Sequence, residues 1–114
     1  MALNNVAADY CKLGNYTKSI ELNKKCIEIR GRLLGNNHPD YAMSIGNLAL
    51  VYMELGDYER SLELNTECLK IRENCFGMGH PDYAVSINNI AMLYYYLGNY
   101  SKSIDLNRKC LKIY

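Results

Sequence analysis

Three asparagines stand 42 residues apart, at Asn5, Asn47 and Asn89, and each is the kind of side chain that handles a peptide backbone. A carboxamide offers two N–H donors and one acceptor, so a row of them along one surface pairs with the N–H and C=O groups of an extended chain without reading its side chains. Each such bond contributes about 0.5 to 1.5 kcal/mol net. The other reactive residue types carry less. The five cysteines are odd in number and include no Cys-x-x-Cys pair, and no His-x-x-x-His pair accompanies them, so neither a disulfide framework nor a metal centre is expected. His38 and His80 each open a His-Pro-Asp motif and read as caps or turn residues. No general acid/base pair, no nucleophile with a positioned base and no glycine-rich phosphate loop is present, which argues against an enzyme and predicts no cofactor.

The asparagine spacing is one thread of a repeat that runs through the whole chain. Ala7/Ala49/Ala91, Tyr10/Tyr52/Tyr94, Gly14/Gly56/Gly98, Ser19/Ser61/Ser103, Asn23/Asn65/Asn107 and Cys26/Cys68/Cys110 recur in the same register. A residue type that returns in every unit is first explained by what every unit needs: packing, capping or turning. Within the second unit, Pro39 suits the first helical position and Asp40 complements the helix dipole, so a helix begins there. Ile45, Leu48, Ala49, Tyr52 and Leu55 form its apolar stripe, and Gly56 ends it. Asp57 follows as an N-cap, with Asn15 and Asn99 as counterparts, and a second helix is predicted from Tyr58 to about Cys75. Its apolar positions are Leu62, Leu64, Cys68, Leu69 and Ile71; Glu59, Arg60, Glu63, Glu67 and Lys70 take the opposite face. Each unit is thus a helical hairpin, and residues 1–114 form one domain with units at about 1–34, 35–76 and 77–114. The first and third units read as partial, so the sequence reads as a segment of a longer array.

Composition agrees with a helical array. The 114 residues are 49% hydrophobic, enough for a core, and 13 basic against 12 acidic residues leave a formal net charge of +1. That balance predicts neither nucleic acid nor membrane as a partner, and no apolar run reaches the roughly 18 residues of a bilayer span. The expected compartment is the cytosol. Cys26, Cys68 and Cys110 are expected as buried free thiols, since an intervening helix holds them beyond the ~7 Å reach of a disulfide. Lys102, Arg108, Lys109 and Lys112 make the last helix basic, with Asp105 expected to pair with Lys109 at i,i+4.

The arrangement Asn47-Leu48-Ala49-x-x-Tyr52-x-x-x-Gly56-Asp57-Tyr58, with Cys68-Leu69 and a Leu-Gly-x-x-His-Pro-Asp junction, resembles the 42-residue tetratricopeptide-like repeats of the kinesin light chain family. The resemblance implies an all-α fold: an α-α superhelix, or solenoid, of tandem antiparallel helical hairpins, with first helices lining a concave groove and second helices on the convex back. It also implies a peptide-gripping role for asparagines at the places of Asn5, Asn47 and Asn89. Two departures stand out. Ser61 occupies a place where alanine is usual, and Asn65 one where a large aromatic is usual; Asn23, Asn65 and Asn107 are expected to form a polar seam between second helices.

With Leu48, Ala49 and Tyr52 turned toward partner helices, Met43, Gly46, Asn47, Leu50, Met53 and Glu54 fall on the inner surface. Their counterparts are Asn4, Asn5, Ala8, Cys11 and Lys12 in the first unit, and Val85, Asn88, Asn89, Met92, Tyr95 and Tyr96 in the third. The units differ sharply here, as a binding surface would. The candidate groove set is Asn5, Asn47, Asn89, Asn88, Leu50, Met53, Met92, Tyr95 and Tyr96. Only Lys12, set against Glu54, is basic, so an acidic ligand is disfavoured and an apolar or aromatic anchor is expected. The function expected is a protein-interaction scaffold that binds an extended or helical peptide segment of a protein partner in the groove. The alternative is a structural array that self-associates end to end as a homo-oligomer through uncovered Ile104, Leu111 and Ile113.

Overall fold

Helices start and stop where the punctuation residues stand. The computed structural model describes residues 2–77 and 79–113, with the side chains of 6–77 and 79–111. Its helices are α1 (Ala2–Lys12), α2 (Tyr16–Leu34), α3 (Pro39–Leu55), α4 (Tyr58–Phe76), α5 (Pro81–Tyr96) and α6 (Tyr100–Ile113). The histidines are caps: His38 Nδ1 accepts from the Asp40 N–H at 3.1 Å, and His80 Nδ1 from the Asp82 N–H at 3.0 Å. At the hairpin turns Asn15, Asp57 and Asn99 each accept from the N–H three residues on, at 3.3 Å. Gly56 closes α3 at φ 84°, a left-handed conformation that any Cβ would strain.

Because Asn performs at two hairpin turns what Asp57 performs at the third, the cap is testable by exchange. Asp57→Ala is expected to lower stability by about 1 kcal/mol in urea unfolding, whereas Asp57→Asn retains most of it. Equal losses in the two variants would show that the acid's charge, rather than its accepting oxygen, holds the turn.

Each first helix packs against the second helix of its own unit, and α3 and α5 also pack against the second helix of the unit before. Ala7, Ala49 and Ala91, at 1%, 0% and 0% exposure, let the two helices of a hairpin approach closely. There Ser19 Oγ donates to the Ala7 carbonyl at 2.8 Å, and Ser61 Oγ to the Ala49 carbonyl at 2.7 Å. Serine in place of alanine therefore adds a buried stitch across each of these hairpins. The units are joined by a second device. Arg30 Nη1 donates to the Asp40 carbonyl at 3.0 Å and to Ser44 Oγ at 2.8 Å, and Arg72 Nη1 meets the Asp82 carbonyl at 3.4 Å and Ser86 Oγ at 2.9 Å.

Cys26, Cys68 and Cys110 are buried, and all five cysteines are free thiols. Cys68 Sγ donates to the Ala42 carbonyl at 3.3 Å and Cys110 Sγ to that of Ala84 at 3.4 Å. Burial pushes the Cys68 thiol above its ordinary pKa, with Arg72 and the Ser86 hydrogen bond pulling the other way. Such a thiol fills space as a small neutral side chain.

Three expectations need correction. Leu55, placed on the apolar stripe, is 46% exposed because it lies in the last turn of α3, beyond the reach of the neighbouring helices, while Val51, at 3%, is buried in its stead. The asparagines form no seam between second helices: Asn23 Nδ2 donates to the Ser19 carbonyl at 3.0 Å and Asn65 Nδ2 to that of Ser61 at 3.1 Å, each within its own helix. Lys109 makes no ion pair with Asp105 among the described residues; its ammonium lies 5.6 Å from the Tyr83 ring centroid, a cation–π contact that an aromatic across the hairpin supplies.

Candidate functional site

Side-chain size on the inner face decides where the groove is open. Between the first and second units, α1 contributes Ala8, Cys11 and Lys12, α2 contributes Tyr16, Ser19 and Asn23, and α3 contributes Met43, Asn47, Leu50, Val51 and Glu54 to a cleft of about 660 Å³. Between the second and third units, Gly46, Leu50, Met53, Ser61, Asn65, Asn89 and Met92 enclose about 100 Å³. The difference follows from the lengths of the side chains that packing sets opposite one another. Ala8 holds the place that Leu50 and Met92 hold in later units, and Cys11 the place of Met53 and Tyr95, so the short side chains of α1 leave space that longer ones fill downstream.

The larger cleft has apolar walls with polar groups set at intervals, the usual make-up of a ligand site. Lys12 and Glu54 bring one charge of each sign. Burial, and secondarily the Glu54 carboxylate, raise the Cys11 thiol above its ordinary pKa, so it stands as a neutral wall residue rather than a thiolate. Among the described residues, no three His, Cys, Asp or Glu side chains gather as a metal would require, and no helix is long and apolar enough to cross a membrane.

The structure brings Asn47 and Leu50 into the larger cleft, and Leu50, Met53, Asn89 and Met92 around the smaller one. Asn5 lies on α1, but its side chain is outside the described residues, as is that of Asn4. Asn88, Tyr95 and Tyr96 line neither cavity. Tyr96 stacks on Tyr58 with ring centroids 5.2 Å apart, and Tyr95 meets Tyr96 and Tyr100 edge-on at 6.0 and 5.3 Å. These four rings form an aromatic ledge where α4, α5 and α6 meet at the hairpin turns. Sequence reasoning missed Tyr16, Ser19, Asn23 and Val51 in the first cleft, and Ser61 and Asn65 in the second. A signal was there: Ser and Asn four residues apart in each second helix share one face, and that face floors the groove.

Packing of this kind, hairpin on hairpin with first helices along one surface, is matched at the level of sequence. The family model for the tetratricopeptide repeat fits residues 1–74 and again 40–114. The chain belongs to the tetratricopeptide repeat family. Arrays of this family generally mediate protein–protein interaction, and they are typically scaffolds without enzymatic activity. A comparison with curated proteins finds no match.

Solved structures agree with the repeat assignment. A crystal structure of a putative kinesin light chain with nearly identical tetratricopeptide-like repeats, from Podosopora anserina, superposes with a TM-score of 0.86 at 22% identity, over 98% of this chain and 53% of that one. BtubC (BKLC) from P. vanneervenii gives 0.90 at 23%, over 97% of this chain and 44% of that one. The tetratricopeptide domain of Arabidopsis FLU gives 0.81 at 14%, over 97% and 90%. This tetratricopeptide array therefore shares its fold with all three, and it spans about half the length of the kinesin-light-chain-like structures.

Proposed function

We propose that this chain is an interaction scaffold that holds a peptide segment of a protein partner, extended or helical, in its concave groove. The observation that carries the reading is the open cleft between α1 and α3, with Asn47 in its wall and a near-neutral balance of charge. Asn47 and Asn89 are both half-buried on the inner surface, which leaves their carboxamides within reach of a ligand backbone while neighbouring residues partly exclude water. With Lys12 facing Glu54, the groove lacks the basic cluster that an acidic peptide or a C-terminal carboxylate needs. Five free thiols, three of them buried, suit the reducing cytosol as the working compartment.

The test is a peptide-array screen against the chain and against a double Asn47→Ala, Asn89→Ala variant of matched helicity. Loss of two backbone hydrogen bonds is expected to weaken captured peptides by about tenfold. Affinities that stay level in a folded variant would refute a groove that grips backbone through these asparagines.

A further inference from the structure

The floor of the larger cleft holds an acceptor that the fold leaves unused. Asn23 is 2% exposed, and its Nδ2 is spent on the Ser19 carbonyl at 3.0 Å and Ser19 Oγ at 3.4 Å. Its Oδ1 is buried without a hydrogen-bond partner. Among the described residues no other buried side-chain nitrogen or oxygen is in this state. Ser19 cannot supply the missing donor, because its hydroxyl proton goes to the Ala7 carbonyl at 2.8 Å. Folded proteins pair nearly all such groups, so an orphaned carboxamide oxygen just beneath an open cleft, on a residue that lines it, marks a place where an incoming donor is favoured once the side chain turns toward the cleft.

The surroundings narrow the donor. Ala8, Cys11, Leu50 and Val51 offer apolar surface on the way to Asn23. An ammonium or guanidinium brought to the floor would meet only neutral Asn23 and Ser19, and Lys12 offsets the one carboxylate of the lining, Glu54; a buried cation without its own counter-charge is costly. We infer that the cleft between α1 and α3 is a subsite for a side chain with an apolar stem and an uncharged hydrogen-bond donor at its tip, which donates to Asn23 Oδ1. Carboxamide and phenol groups both supply that chemistry. The subsite extends the peptide-groove reading by naming the kind of ligand residue that enters the first cleft. Asn65 makes the same two bonds to Ser61, at 3.1 and 3.3 Å, under a cavity that Met53 and Met92 close to about 100 Å³, so the subsite belongs to the first junction.

The test titrates the ¹⁵N-labelled chain by NMR with butyramide against 2-pentanone and with p-cresol against p-xylene, pairs that differ by replacement of the donor with a methyl group. Butylammonium serves as the charged donor. Donor probes are expected to shift the Asn23 side-chain resonances, and their preference over the matched donor-free probe is expected to fall about three- to tenfold in Asn23→Leu. The probe pair that shows the larger fall identifies carboxamide or phenol as the preferred source. A preference unchanged by Asn23→Leu, or tighter binding of butylammonium than of butyramide, overturns the subsite. Should Asn23→Leu lose helicity, Ala8→Trp blocks the cleft while leaving Asn23 in place, and donor-induced shifts at Asn23 that persist there overturn it equally. Peptide capture in the array screen without an Asn23-dependent preference sinks the subsite and spares the groove reading. An Asn23-dependent preference without peptide capture supports the subsite and sinks the groove reading.

Discussion

Arg30→Ala is expected to destabilise the array by about 3 kcal/mol, with the loss concentrated at the junction of the first two units. Arg30 is 8% exposed, and its guanidinium donates to the Asp40 carbonyl and to Ser44 Oγ, so truncation strips both acceptors of a charged donor in a place where water enters poorly. In a repeat array stability is roughly a sum of unit terms and neighbour terms, and Arg30 belongs to a neighbour term. Hydrogen exchange should therefore quicken in α1 and α2 well before it does in α5 and α6. Arg72 is half-buried and its bond to Asp82 is longer, 3.4 Å, so Arg72→Ala is expected to cost less, about 1 to 2 kcal/mol. A shift in the urea midpoint for Arg30→Ala no larger than that of an exposed Lys25→Ala control would show that the junction is held by apolar packing alone.

Ala8→Trp is expected to abolish groove binding, by about 100-fold or more, while leaving thermal stability within about 0.5 kcal/mol of the parent. Ala8 is exposed on α1 and lines the 660 Å³ cleft, so a large ring placed there occupies the space a ligand would take without entering the hairpin core. The matched measurement is the affinity of any peptide that the array screen recovers, alongside thermal unfolding. The converse variant is Met53→Ala, which should enlarge the cavity between the second and third units and give it some of the first cleft's capacity. Peptide affinity that survives Ala8→Trp would place the bound segment elsewhere, with the tyrosine ledge of Tyr58, Tyr95, Tyr96 and Tyr100 the next surface to substitute.

Residues that act within one turn of their neighbours were legible. Asn15, Asp57 and Asn99 as caps, His38 and His80 as helix openers, and Gly56 as a left-handed terminator each satisfy or bend the backbone beside them, and local spacing is enough to identify them. Residues whose partners lie in another unit were less so. Arg30 recurs as Arg72, and Ser44 as Ser86, yet nothing local says that an arginine at the back of one hairpin reaches into the first turn of the next. Asn23 and Asn65 show the same difficulty in another form: the period marked them as structural, and only the packed hairpins show that their shared face floors the groove. Leu55 and Lys109 were misassigned because periodicity assigns a face, whereas exposure depends on how far the neighbouring helix extends and which ring it presents.

The sequence by itself determined the repeat, the helix limits, the hairpin topology and the inner face on which Asn47, Leu50, Met53, Asn89 and Met92 lie, because all of these follow from a 42-residue period and from hydrogen bonds made within a few residues. Tertiary structure alone decided which stretch of that face is open, since cleft volume depends on side-chain lengths facing one another across two units: Ala8 and Cys11 against Leu50 in one case, Leu50 and Met53 against Met92 in the other. It alone also left Asn23 Oδ1 without a donor, a property of three-dimensional surroundings that no spacing along the chain encodes.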